Sequence, residues 1–222
     1  LKTLKCSNNY IEELYGNHLK EIRYLDCSDN NLTELILDQT SVEELDCSNN
    51  NLTEFKLPNR KDLLEKLSAN NCFGDAVSRK FDFTSYSNLM ELSLADNAGI
   101  TELKIPTHQR IKTVVARNCN LEGIFSFAPG LRTTDLYPFI ETIDMSNNPN
   151  LKVLVNSPYF GYNLVKNVNF TGCNVISVVI GGMPSHATGL QVRVGVPQRL
   201  TGNKVKIQFT DGGVDWFDRW EE

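Results

Sequence analysis

Apolar and polar positions recur along this chain in a fixed order. Three stretches nearly superimpose: LKTLKCSNNYIEEL from Leu1, IRYLDCSDNNLTEL from Ile22 and VEELDCSNNNLTEF from Val42. Each fits L-x-x-L-x-C-x-x-N-x-L-x-x-L. Weaker copies begin at Leu64, Leu89, Ile111, Ile140 and Val165. The fourth position of the copies falls at Leu4, Leu25, Leu45, Leu67, Leu92, Val114, Ile143 and Val168, at spacings of 21, 20, 22, 25, 22, 29 and 25 residues. A period in this range marks a stack of units, each packing on its neighbours.

The pattern inside one unit predicts its geometry. Apolar residues at the fourth and sixth positions, with polar residues beside them, have the period of a short strand with one buried face. Leu4 and Cys6 point inward, and Thr3 and Lys5 point outward. Successive strands stack in parallel, about 4.8 Å apart. The asparagine three residues beyond (Asn9, Asn30, Asn50, Asn97, Asn148) falls where the chain turns inward. Its amide both donates and accepts, so stacked copies can form an internal ladder that satisfies turn backbone. Three units carry Cys72, Cys119 and Cys173 there instead. Ile11 and Leu14, Leu32 and Leu35, and Leu52 and Phe55 fill the core from the return segment. So short a period leaves no room for a long return helix. The predicted fold class is a solenoid, a gently curved rod or horseshoe. A parallel sheet of about eight to ten short strands lines the concave face, with extended or 3₁₀ returns on the convex face and a C-terminal cap.

This divides the chain into an array over residues 1–180, with eight recognisable repeats, and a degenerate last repeat with cap over 181–222. GLQVRVGV (189–196) reads as a ninth rung, and KVKIQF (204–209) alternates like a further strand. In the tail, Asp211, Gly212 and Gly213 form a turn. Trp216 and Trp220 share one face if this piece is helical. The Trp pair reads as part of a cap, or alternatively as a stacking surface for a sugar or a link to another domain. The chain opens at Leu1 in the first position of a repeat. A bare solenoid end exposes its core, so the natural protein is expected to extend upstream, with any export signal there.

Three return segments are longer and aromatic. The one after Cys72 carries Phe81, Phe83 and Tyr86, the one after Leu121 runs Gly123–Phe139, and NSPYFGYN (156–163) clusters Tyr159, Phe160 and Tyr162. Each is either a binding loop at the edge of the rod or a return that buries its own rings. Tyr159, Phe160 and Tyr162 are the better binding candidates, because three rings lie within four residues beside Gly and Pro.

Placing the cysteines removes most of their functional meaning. All six occupy repeat positions. Parallel side chains on neighbouring rungs keep Cβ atoms near 4.8 Å, whereas a disulfide wants about 3.8 Å. Buried free thiols follow, and no spacing suits zinc. His18, His108 and His186 fall far apart in returns or loops. No nucleophile elbow, metalloprotease motif, phosphate-binding loop or calcium loop is present. Glu43 and Glu44 are adjacent, but successive strand residues point to opposite sides. The chain is read as no enzyme, with no cofactor and no metal. No run of about 18 apolar residues exists, so no segment is expected to insert in a membrane.

Charge narrows the partner. Residues 1–60 carry eleven acidic and six basic side chains, a net of −5; the remaining sixteen of each cancel. Nucleic acid is disfavoured for want of a basic stripe. Outward strand positions form two columns: Thr3, Tyr24, Glu44, Lys66, Glu91, Thr113, Thr142, Asn167, and Lys5, Asp26, Asp46, Ser68, Ser93, Val115, Asp144, Asn169. Tyr24, Asp26, Glu44, Asp46, Lys66 and Glu91 are the candidate binding residues, with Tyr24 as apolar anchor for a basic or hydroxyl-rich partner. The same face also reads as a solvated sheet that avoids aggregation. The glycosylation patterns at Asn31, Asn51 and Asn169 read as by-products of the repeat.

The L-x-x-L-x-C-S-N-N-x-L-T-E-L unit resembles the short leucine-rich repeats of bacterial surface proteins, the internalin-like and Bacteroidetes surface groups. The resemblance covers about Leu1 to Val178. It implies an extracellular or cell-surface module that binds a protein or a glycan in adhesion or host contact. A structural spacer in a larger surface protein, or the substrate-recognition part of a bacterial effector, are the alternatives.

Overall fold

The computed structural model describes residues 1–75, 78–106, 110–127, 140–157, 167–183, 191–193, 205–209 and 214–217. They fall into two compact units, Leu1–Pro106 and Thr107–Glu222. Tyr159, Phe160, Tyr162, His108, His186 and Trp220 lie outside the described residues.

The first unit contains β1 (Thr3–Lys5), β2 (Tyr24–Asp26), β3 (Glu34–Ile36), β4 (Glu44–Asp46), β5 (Glu54–Lys56), β6 (Lys66–Ser68), β7 (Arg79–Asp82), β8 (Glu91–Ser93) and β9 (Ile100–Lys104). β1, β2, β4, β6 and β8 stack in parallel, in that order. Leu4, Leu25, Leu45, Leu67 and Leu92 stand in register as the inward column. All but Leu4 are buried; Leu4 lies on β1, the end strand of the sheet. The returns are extended, as the short period requires, and they also pair with one another. β3 runs parallel to β5 and β7 to β9, so the returns carry small sheets of their own. A 3₁₀ turn, Gly16–His18, interrupts the first return.

The second unit continues the scheme with β10 (Thr113–Val115), β11 (Gly123–Phe127), β12 (Thr142–Asp144), β13 (Leu151–Ser157), β14 (Asn167–Asn169), β15 (Asn174–Met183), β16 (Gln191–Arg193), β17 (Val205–Phe209) and β18 (Val214–Phe217). β10, β12, β14 and β16 are the rungs, so the ninth rung is present, with Val192 beside Val168. β11, β13, β15 and β17 form the parallel return-side sheet. β18 closes it antiparallel to β17. Trp216 therefore sits on a strand opposite Lys206, not on a helix. The edge of β17 offers a full backbone ladder, which an isolated short helix cannot match.

An internal ladder holds the turns. The Asn97 amide donates to the carbonyls of Ala69 (2.8 Å), Leu94 (2.7 Å) and Ala95 (3.0 Å), and its oxygen accepts from the backbone N–H of Cys72 and Phe73. Asn30, Asn50 and Asn148 repeat the arrangement, each reaching a carbonyl of the preceding rung. Where cysteine stands instead, the thiol donates to that rung: Cys72 to the Cys47 carbonyl at 2.8 Å, and Cys173 to the Met145 carbonyl at 2.9 Å. The Cys72 carbonyl then accepts the Leu52 N–H, a role the asparagine oxygen fills elsewhere. All six thiols are free. Burial pushes Cys27 far above the usual thiol range and Cys173 up to about 11, and a hydrogen bond with the Cys72 side chain, followed by burial, raises Cys47 well above it too. Such thiols are inert packing groups.

The residue just before each ladder position is the one that turns the chain. Asn8, Asp29, Asn49, Asn71, Asp96, Asn118 and Asn147 all have φ between 50° and 61°, and Gly172 has φ 77°. Asparagine and aspartate tolerate this left-handed region better than other residues with a Cβ.

The aromatic return after Cys72 buries its rings. Phe55, Phe73, Phe81, Phe83 and Tyr86 form a continuous cluster with centroids 5.2–6.3 Å apart. Phe73, Phe83 and Tyr86 are buried. Arg79 closes one side, its guanidinium 4.8 Å from the Phe73 ring while donating to the carbonyls of Leu52 and Thr53. This return is a local core and not a binding loop. In the second unit Phe125 likewise lies 6.2 Å from buried Phe170.

Candidate functional site

The outward face of the first unit's sheet is fixed by strand register. One column runs Thr3, Tyr24, Glu44, Lys66, Glu91, and the next Lys5, Asp26, Asp46, Ser68, Ser93. None of these side chains is buried. The structure thus brings all six face candidates onto adjacent strands. Within the face, the Lys66 ammonium lies 3.6 Å from a Glu44 oxygen and 3.9 Å from a Glu91 oxygen. The Lys5 ammonium lies 5.3 Å from the centre of the Tyr24 ring. Glu43, just before β4, pairs with Arg23 and leaves Glu44 to the sheet.

Asp26 and Asp46 have a structural task that their charge conceals. One Asp26 oxygen accepts the Ser28 N–H (3.2 Å) and hydroxyl (2.7 Å), and the other accepts the Ser7 hydroxyl at 3.2 Å. Asp46 accepts the Ser48 N–H at 3.0 Å. Asp144 does the same for Ser146, and Asn169 for the Thr171 N–H. These are Asx turns, in which a side chain two residues back takes a backbone N–H that the turn leaves over. The signal was present as D-C-S, D-C-S, D-M-S and N-F-T. Asn169 shows that the turn needs the acceptor and not the charge.

Among the described residues there is no group of three or more His, Cys, Asp or Glu side chains placed to hold a metal ion. No described helix is long and apolar enough to cross a membrane. His18 is exposed on the 3₁₀ turn, in edge contact with Tyr15 at 6.2 Å. The sequon positions Asn31 and Asn51 are exposed, whereas Phe170 in the middle of the third is fully buried.

The model of the leucine-rich-repeat family matches residues 41–60, which hold β4, its Asn50 ladder residue and the return through β5. The fold is that of a leucine-rich-repeat solenoid. No curated protein and no solved structure matches it. Solenoids of this class are typically binding scaffolds without catalysis, and they generally mediate protein binding. In this leucine-rich-repeat solenoid the matched repeat contributes Glu44 and Asp46, the middle of the polar face.

Proposed function

We propose that this solenoid is an extracellular, adhesion-type module of a bacterial surface protein, and that it docks a protein partner on the sheet face of its first unit. One observation carries the reading. Five strands hold two columns of half-buried and exposed side chains in register, with one aromatic ring, Tyr24, among polar neighbours. A rigid array of this kind presents contacts at fixed spacing, so little ordering entropy is lost on binding. A half-buried tyrosine adds apolar area with a hydroxyl that can still find a partner.

The test is to probe the purified chain against arrays of extracellular proteins and of glycans. The expected result is saturable binding to a protein. Binding to glycans alone would replace the partner class. A folded sample that binds nothing on either array would contradict the reading and favour a spacer.

A further inference from the structure

Resting on the sheet face as docking surface, we propose that its occupant is an extended protein segment bearing basic side chains, seated along Tyr24, Glu44, Asp26 and Asp46. The two columns of the first unit carry four carboxylates (Asp26, Asp46, Glu44, Glu91) against two ammonium groups (Lys5, Lys66), four minus two, a net of −2. The face already shows how it holds a cation, and does so in two ways. Lys66 sits between Glu44 and Glu91 on the neighbouring strands, and Lys5 sits over the Tyr24 ring. Both cations come from the face itself. Asp26 and Asp46 stand side by side one column over, in register on β2 and β4. Their described donors are a backbone N–H at Ser28 and Ser48 and the hydroxyls of Ser7 and Ser28, all neutral, so the contacts fix the carboxylates without cancelling their charge. Asp26 and Asp46 rise from strands about 4.8 Å apart, each carboxylate can take a guanidinium fork, and the Tyr24 ring, which already carries the Lys5 ammonium, accepts a guanidinium in exchange by a cation–π contact. An extended segment sets same-face side chains about 6.6 Å apart against a strand spacing of about 4.8 Å, a difference that the long stems of basic residues can span.

Asparagine separates charge from turn building, because Asn169 makes the same Asx turn in the second unit. The experiment measures fluorescence anisotropy of labelled oligo-arginine and oligo-glutamate peptides with the whole chain and two double variants. Asp26→Asn/Asp46→Asn removes two charges from the face. Glu12→Gln/Glu13→Gln removes two charges from the exposed first return. The proposal predicts binding of oligo-arginine and not oligo-glutamate, weakened about fivefold or more by the aspartate pair and little by the glutamate pair. Unchanged melting of Asp26→Asn/Asp46→Asn is expected with it. Equal losses from both pairs, or no oligo-arginine binding, would overturn the basic occupant. In the second case, an array partner whose affinity still falls in Tyr24→Ala leaves the docking face standing. An array partner indifferent to every face variant removes both.

Discussion

Replacing Asn97 by leucine is expected to lower the stability of the first unit by about 4 kcal/mol, beyond the usual range for a single substitution. Asn97 is fully buried, and its side chain joins three carbonyls and two N–H groups from two rungs. Leucine branches at the same carbon and is larger, so the loss is polar with some overpacking and not a cavity. Each buried backbone group left without its partner costs about 1–3 kcal/mol. Asn97→Cys is expected to cost about half as much, because a thiol at this position reaches the preceding rung's carbonyl at Cys72 and Cys173. Urea unfolding followed by circular dichroism checks both. A leucine variant as stable as the parent, or a cysteine variant no better than leucine, would contradict the ladder as a source of stability.

Gly16→Ala is the second large effect. A Cβ built on Gly16 falls 2.0 Å from the Ile36 carbonyl oxygen and 3.1 Å from its carbon. Both atoms are backbone at the end of β3, which is tied to β5. No flexible side chain can give way, so the 3₁₀ turn must lift off the second return. Leu19, which the turn buries, goes with it. A loss of about 3 kcal/mol is expected, confined to the first rung. Hydrogen exchange checks it: the amides of His18 and Leu19, bonded to Tyr15 and Gly16 in the parent, should exchange far faster. The amide of Leu92, on β8, should not change. Unaltered exchange at Leu19 would show that the close approach is absent in solution.

The rungs, their register and the buried asparagine column were legible because eight copies place the same chemistry at the same offset. Chance rarely puts an aliphatic residue, then an apolar residue two on, then asparagine or cysteine three further on, at one spacing eight times. What the repeat could not show lies where copies differ or one residue has two uses. Asp26 and Asp46 read as acidic surface, and their acceptor role appears only once the serine two residues on is seen to turn back. The paired asparagines read as one ladder residue and a neighbour, yet that neighbour is the left-handed turn in Asn8, Asn49 and Asn147. The pairing between returns was hidden because return lengths vary, so no alternation repeats at fixed offset. Arg79 had no counterpart in other copies, and only the fold places its guanidinium on Phe73 and two carbonyls. The Trp216 strand was missed because four-residue spacing suggests a helix while the partner strand lies in the preceding segment.

The claim that the sheet face holds a partner is tested most directly by the affinity of the array-identified protein for two tyrosine variants. Tyr24 lies on the face, half-buried under Lys5. Tyr10 is 88% exposed and lies beyond the β1 strand, in the turn that follows Asn9. A tyrosine anchor is worth about 2 kcal/mol or more, roughly thirtyfold in affinity. Tyr24→Ala should therefore weaken binding by about that factor while Tyr10→Ala leaves it unchanged. Full affinity in Tyr24→Ala, or an equal loss in Tyr10→Ala, would contradict a partner held on this face.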